Sequence, residues 1–281
     1  MATRFPEIKP ETAQIQSMRL EHSFLPVEGV GETRERRLWE AGVERWDLFD
    51  PTAAPVGPTT AERIVAFLHE AHDRLQDGDT HFFAERLPTS ETWRLYEDFR
   101  DETVYFDIET TGLDSRHAVV TTLSAYQGGQ MRTLVRDHDL TATRVEQLLN
   151  EAPLIASFNG VQFDVPFLED SLGITIETPH LDLRYPCSRL GLKGGLKRIE
   201  QLLGISRGSS GVDGRDAIRL WRMYDRRGDG EALDRLIAYN QDDTENLQLL
   251  ADVVAHELHE TTAGTLLSEL PHFSDPRQRS G

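Results

Sequence analysis

A single cysteine, Cys187, excludes any disulfide within the chain, and its expected role is a small buried hydrophobe rather than a nucleophile. Lysine is almost absent: Lys9, Lys193 and Lys197 are the only three. Hydrophobic residues make up 38% of the sequence, and no apolar run approaches the ~20 residues that a membrane-spanning helix requires. Met1 to Pro10 lacks the apolar stretch of a secretory signal. These absences lead us to expect a soluble cytoplasmic protein with no membrane partner. At 281 residues it can hold one large domain with a smaller one beside it.

Positive charge is the other deficit. Lysine and arginine total 30 against 48 acidic residues, a formal charge of −18, which is an unfavourable background for handling nucleic acid. The shortage is uneven, however. Arg184 to Arg227 carries eleven basic and four acidic residues, a local excess of seven. An acidic, lysine-poor, arginine-retaining composition resembles proteins that work in concentrated salt, and predicts that stability depends on salt.

What is present is organised around Val104-Tyr105-Phe106-Asp107-Ile108-Glu109-Thr110-Thr111-Gly112-Leu113. An apolar run leads into two carboxylates at alternate positions, so a strand would point Asp107 and Glu109 to one face and Phe106 and Ile108 to the other. Two carboxylates sharing a buried face repel each other and lose solvation. A divalent cation removes both costs, because hard cations take oxygen ligands. A solvated strand end is the ordinary alternative.

Upstream, residues 1–23 read as a polar arm and residues 24–95 as a helical region. Phe24 to Gly31 precedes a helical stretch from Glu32 to Ala41, and Gly29 and Gly31 bracket a tight turn whose amides could hold a phosphate oxygen. Leu25, Val30, Leu38, Trp39, Val43, Trp46, Leu48 and Phe49 are its expected core. This segment looks like a helix-hairpin-helix module, a DNA-backbone grip, although Glu28 and Glu32 flank the turn. A packing hairpin is the alternative. A second helix is expected from Thr59 or Thr60 to about Leu75, and a further one from Ser90 to Phe99.

After Gly112 the pattern turns to period two. Val119 to Tyr126 and Met131 to Val135, joined at Gln127-Gly128-Gly129-Gln130, predict a hairpin. A helix over Thr141 to Glu151 and a short strand over Leu154 to Phe158 follow. Three antiparallel strands, then a helix and parallel strands, is the RNase H-like order of an α/β mixed sheet flanked by helices. We place this domain at residues 100–260, with a polar tail at 261–281. Asn159 falls at a strand end, where an amide can donate to a phosphate or sugar oxygen. Asp164 falls in the first turn of the next helix, where complementing the helix dipole is the ordinary role. Asp182, in the expected strand His180 to Leu183, either supports the site or caps a turn. Lys193, Lys197 and Arg198 form a basic helix entry; solvated charge is the ordinary alternative, and its place beside three acidic clusters suits it to guiding a phosphate backbone. On a final long helix to about Leu258, Tyr239 and Asp243 share a face. Asp242 is turned ~100° off that face.

Asp107-Ile108-Glu109, Asn159 to Asp164, and Tyr239 with Asp243 resemble the three motifs of the DEDD superfamily of 3′–5′ exonucleases, in the form with tyrosine in the third. Tyr239 stands where many relatives carry histidine. Together with the helix-hairpin-helix-like preface, His180 to Leu183 and Leu196 to Gly204, the chain is similar over about residues 20–255 to the YprB-type RNase H-like exonuclease family. The resemblance implies phosphodiester hydrolysis assisted by two Mg²⁺ or Mn²⁺ ions. Asp107, Glu109, Asp164 and Asp243 would be metal ligands and Tyr239 would orient the attacking water. It implies nucleic acid, DNA before RNA, as the partner. Two rival readings are an inactive nucleic-acid-binding module of the same fold and a structure-specific endonuclease or RNase.

Overall fold

The structure, a computed structural model, describes residues 18–208 and 214–267. The expected arm and tail lie outside the described residues except at 18–23 and 261–267. In chain order the helices and strands are α1 (Glu32–Glu40), α2 (Pro58–Gln76), α3 (Thr80–Ala84), α4 (Tyr96–Phe99), β1 (Val104–Thr110), β2 (Val120–Gln127), β3 (Gln130–Val135), α5 (Ala142–Asn150), β4 (Ile155–Ser157), α6 (Asp164–Leu172), β5 (His180–Asp182), α7 (Arg184–Arg189), α8 (Leu196–Leu203), α9 (Gly214–Arg227) and α10 (Gly230–Thr262). No helix among the described residues is long and apolar enough to cross a membrane.

The five strands form one sheet in the order β3-β2-β1-β4-β5. β1, β2 and β3 pair antiparallel, while β4 and β5 run parallel to β1. This is the mixed α/β sheet expected from the strand pattern. Alternation along β1 divides the core. Val104, Phe106 and Ile108 pack with Val145 and Leu149 of α5 and Phe167 and Leu168 of α6. Tyr105 joins the cluster that contains Leu247, Leu250 and Val254 of α10. Asp107 and Glu109 therefore open on the α10 side.

The second cluster does not stop at the sheet. It continues without a break into Leu25, Val30, Leu38, Trp39, Trp46, Phe83 and Trp93 of the helical region. Leu48 departs from its expected core position: it is 46% exposed, on a short 3-10 turn whose Trp46 takes the buried place. The single helix expected from Ser90 is also corrected. Residues 89–95 form a 3-10 helix before the short α4. That turn buries an ion-pair cluster, with Arg94 Nε donating to Glu91 Oε2 at 2.7 Å and Arg94 Nη2 lying 3.0 Å from Glu35 Oε2. Glu35 in turn accepts from the backbone N–H of Phe24 at 2.8 Å, tying the approach to the Gly29 turn onto α1. Gly29 has φ +85° and its carbonyl accepts from Arg34. Upstream of it the described residues hold only a 3-10 turn, Leu20–His22.

Candidate metal centre

β1 pairs with β4 only at Val104 and Tyr105, because β4 is three residues long. Beyond that point the β1 edge is open, and the backbone N–H of Ile108 donates instead to Asp164 Oδ1 at 3.2 Å. Asp164 is the first residue of α6, so the segment between β4 and α6 decides its position. Two features set that segment. Asn159 adopts the left-handed conformation at φ +69°. A Cβ at Gly160 would sit 2.9 Å from Ser157 Cβ and 3.1 Å from His180 Cε1, so only glycine fits. Asp182 then fastens the turn, accepting from the backbone N–H groups of Asn159 (2.7 Å), Val161 (3.2 Å) and Arg184 (3.0 Å). Asp182 thus caps the turn after β5 and, through Asn159 and Val161, also holds the segment that positions Asp164.

On the same side of the sheet, α10 crosses β1 and β2. Asp107, Glu109 and Asp243 each offer a carboxylate oxygen, and these oxygens all lie within 4.8 Å of one another. Asp107 and Glu109 are half-buried; Asp164 and Asp243 are buried. Burial pushes Asp107 up to about 7, although an Asn240 hydrogen bond and the Arg207 charge oppose the rise. Burial also holds Glu109 well above the usual carboxylate range, with the charges of Asp107 and Asp164 adding to it. Asp164 is raised in the same way, first by burial and then by Asp107. A set of oxygen donors whose ionised form is disfavoured by burial and by mutual repulsion fits hard divalent cations, which offset both.

A family model described as the RNase H superfamily matches residues 104–255, more than half of the chain. The chain belongs to the RNase H superfamily. It matches no curated protein. Among solved structures it is similar to the family B DNA polymerase from the hyperthermophilic archaeon Pyrobaculum calidifontis, at 16% identity and TM-score 0.42, over 62% of this chain and 31% of the polymerase. It is also similar to a nuclease in its apo form (18%, TM-score 0.42, 59% of this chain and 78% of that one). A third similarity is to Brucella melitensis NrnC with bound Mg²⁺ (18%, TM-score 0.34, 64% and 94%). The chain thus spans about a third of the polymerase's length.

In this RNase H superfamily member, positive charge reaches the carboxylates from α8 and the segment after it. Lys197 Nζ lies 4.4 Å from the ring centroid of Tyr239, which is buried. Arg207 forms ion pairs with both Asp243 and Glu200, and its guanidinium lies 5.7 Å from the same ring. Lys193, in the segment before α8, and Arg198, in its first turn, are exposed. Asn159 accepts from Arg184 through its side-chain oxygen. Gly29 and Gly31 belong to the helical region, in the turn that leads into α1.

Four contributors escaped the sequence reading. Asn240 is fully buried, donates to Asp107 Oδ2 at 2.8 Å, and accepts from Thr122 Oγ1 at 2.9 Å. Its signal was available, since Leu236, Asn240, Asp243 and Leu247 follow the spacing of one helix face. Glu200, Arg207 and Asn246 form a polar cluster beside the site, with Asn246 Nδ2 donating to Glu200 Oε1 at 2.8 Å. Nothing in the sequence separates these three from ordinary surface residues.

Proposed function

We propose that the protein is a metal-dependent nuclease that hydrolyses phosphodiester bonds, acting from the 3′ end of nucleic acid in the cytoplasm. The observation that carries this reading is the meeting of Asp107, Glu109 and Asp243 oxygens within 4.8 Å on a superfamily scaffold. Asp107, Glu109 and Asp243 would hold divalent cations, with Asp164 contributing from the opened β1 edge, directly or through water. When bound, two such ions (Mg²⁺ or Mn²⁺) supply the charge that acidifies an attacking water and stabilises a leaving oxygen. Asn240 fixes the Asp107 carboxylate so that its free lone pairs face the site. Tyr239 would orient the water, its ring held under Lys197. Lys197, with Lys193 and Arg198 at the surface, would draw the phosphate backbone in, and Asn159 would meet a sugar or phosphate oxygen once released by Arg184. The Gly29–Gly31 turn would grip DNA as a helix-hairpin-helix does, and on that reading the substrate would be DNA before RNA.

The test is incubation with 3′- and 5′-labelled DNA and RNA, with and without Mg²⁺ or Mn²⁺. Mononucleotides released from the 3′ end support the proposal, internal fragments support an endonuclease, and retention without cleavage supports a binding module. Asp107→Asn should abolish release while the protein stays folded; activity surviving that change refutes the assignment.

A further inference from the structure

Helix α9 was not singled out in the sequence, yet it carries an ordered charge pattern. At ~100° per residue, Arg215, Arg219, Arg222 and Arg226 fall within an arc of about 60°. All four are exposed. Diametrically opposite lie Ala217, Leu220, Trp221 and Tyr224, and these pack with Leu236 and Tyr239 of α10. The two acids of the helix, Asp216 and Asp225, fall outside the arc, although Asp216 reaches Arg219 at 3.1 Å. In a chain whose acids outnumber its bases 48 to 30, the stretch from Arg184 to Arg227 concentrates basic residues, and on α9 they gather on one face. Here every position of the face is arginine.

The location gives the pattern its meaning. The buried side of α9 packs on Tyr239, one of the site residues, and against β1, which carries Asp107 and Glu109. The arginine row therefore runs along the outer side of the helix that walls the carboxylate centre. From Arg215 to Arg226 it extends about 16 Å at ~1.5 Å per residue. One row of guanidinium groups suits one phosphate backbone, and guanidinium is the side chain best matched to phosphate oxygens.

We propose that the exposed arginine face of α9 is a track for single-stranded nucleic acid, holding the backbone of the strand whose end lies at the carboxylates. This rests on the nuclease reading for where the strand ends, but the binding itself does not depend on hydrolysis. Binding of a labelled 20-nucleotide single strand should be measured against salt using Asp107→Asn protein, in which cleavage is silenced. Adding Arg219→Gln, Arg222→Gln and Arg226→Gln together should lower the slope of log K against log salt by about 2, at ~0.7 per phosphate contact. At ~0.1 M salt that corresponds to about 100-fold weaker binding. The matching triple lysine change should keep the slope, which separates charge loss from misfolding. Arg144→Gln, on α5 across the sheet, should leave it unchanged. An unchanged slope in the triple glutamine protein overturns the proposal, as does an equal loss from Arg144→Gln. With Asp107 intact, the triple glutamine change should also lower the ratio of kcat/KM for the long strand over a dinucleotide at least about tenfold. If the unaltered protein cleaves neither substrate, the nuclease reading fails while the salt slopes still decide the track.

Discussion

The carboxylate centre predicts that pH and Mg²⁺ oppose each other in setting stability. Asp107 is raised to about 7 in the folded protein, against an ordinary aspartate value near 3.8. A group raised in this way favours folding below its unfolded value, and that contribution is lost as pH climbs through the folded value. Without divalent cations, the protein should therefore lose stability between about pH 4 and pH 8. At ~1.4 kcal/mol per pH unit the loss from Asp107 is at most about 4 kcal/mol, and solvent access to a half-buried group brings it to the order of 2 kcal/mol. Glu109 and Asp164 are raised too and push in the same direction. In a domain of this size ~2 kcal/mol is worth roughly 4–8 °C in Tm.

Mg²⁺ should reverse the trend, because only the ionised carboxylates bind it. At about a hundredfold over its Kd, one ion adds ~2.7 kcal/mol. At about pH 5.5 only ~3% of Asp107 is ionised, which weakens Kd about 30-fold and cuts the gain to ~0.9 kcal/mol. Differential scanning fluorimetry at about pH 5.5 and pH 8, with EDTA or with the same Mg²⁺ concentration, reads both effects. The expected result is a Mg²⁺ increment several degrees larger at the higher pH. Calorimetry in buffers of different ionisation enthalpy should show proton release near pH 7. An increment equal at both pH values, or none at either, would falsify the account of the centre.

Three further outcomes follow from particular contacts. Asn240→Ala removes the donor to Asp107 and leaves Thr122 without its acceptor, so metal affinity, read by calorimetry, should fall about 10–100-fold. Arg94→Met leaves Glu35 buried without its cation, while Glu91 keeps Arg189; urea unfolding should show a loss of about 3–5 kcal/mol, and a loss under ~1 kcal/mol would mean the cluster contributes little. A formal charge of −18 repels itself, so Tm should rise steadily as KCl goes from low to multimolar concentration; full stability at low salt would count against a salt-adapted surface.

The legible parts of the molecule were those where one periodicity determines one face. Period two along residues 104–110 set Asp107 and Glu109 together, and the i, i+4 relation set Tyr239 beside Asp243. Asp164 was legible as a first-turn acid but not as the partner of the Ile108 N–H. That role exists only because β4 stops after three residues, and strand length depends on pairing rather than on local preference. The helix expected over 90–99 was misread for a related reason. Glu91 and Arg94 look like the solvated charges of a helix surface, but both are buried as mutual partners, and the backbone tightens to a 3-10 turn around them. Glu200 and Arg207 repeat the pattern beside the carboxylate cluster. In each case a charged residue is stabilised inside the protein by another that is distant in sequence or unremarkable in it, and no window of neighbouring residues carries that information. Arg207 shows the consequence for function most directly. Its guanidinium pairs with Asp243, the carboxylate that α10 brings to Asp107 and Glu109, so a residue that no local pattern marks brings positive charge to the carboxylate cluster.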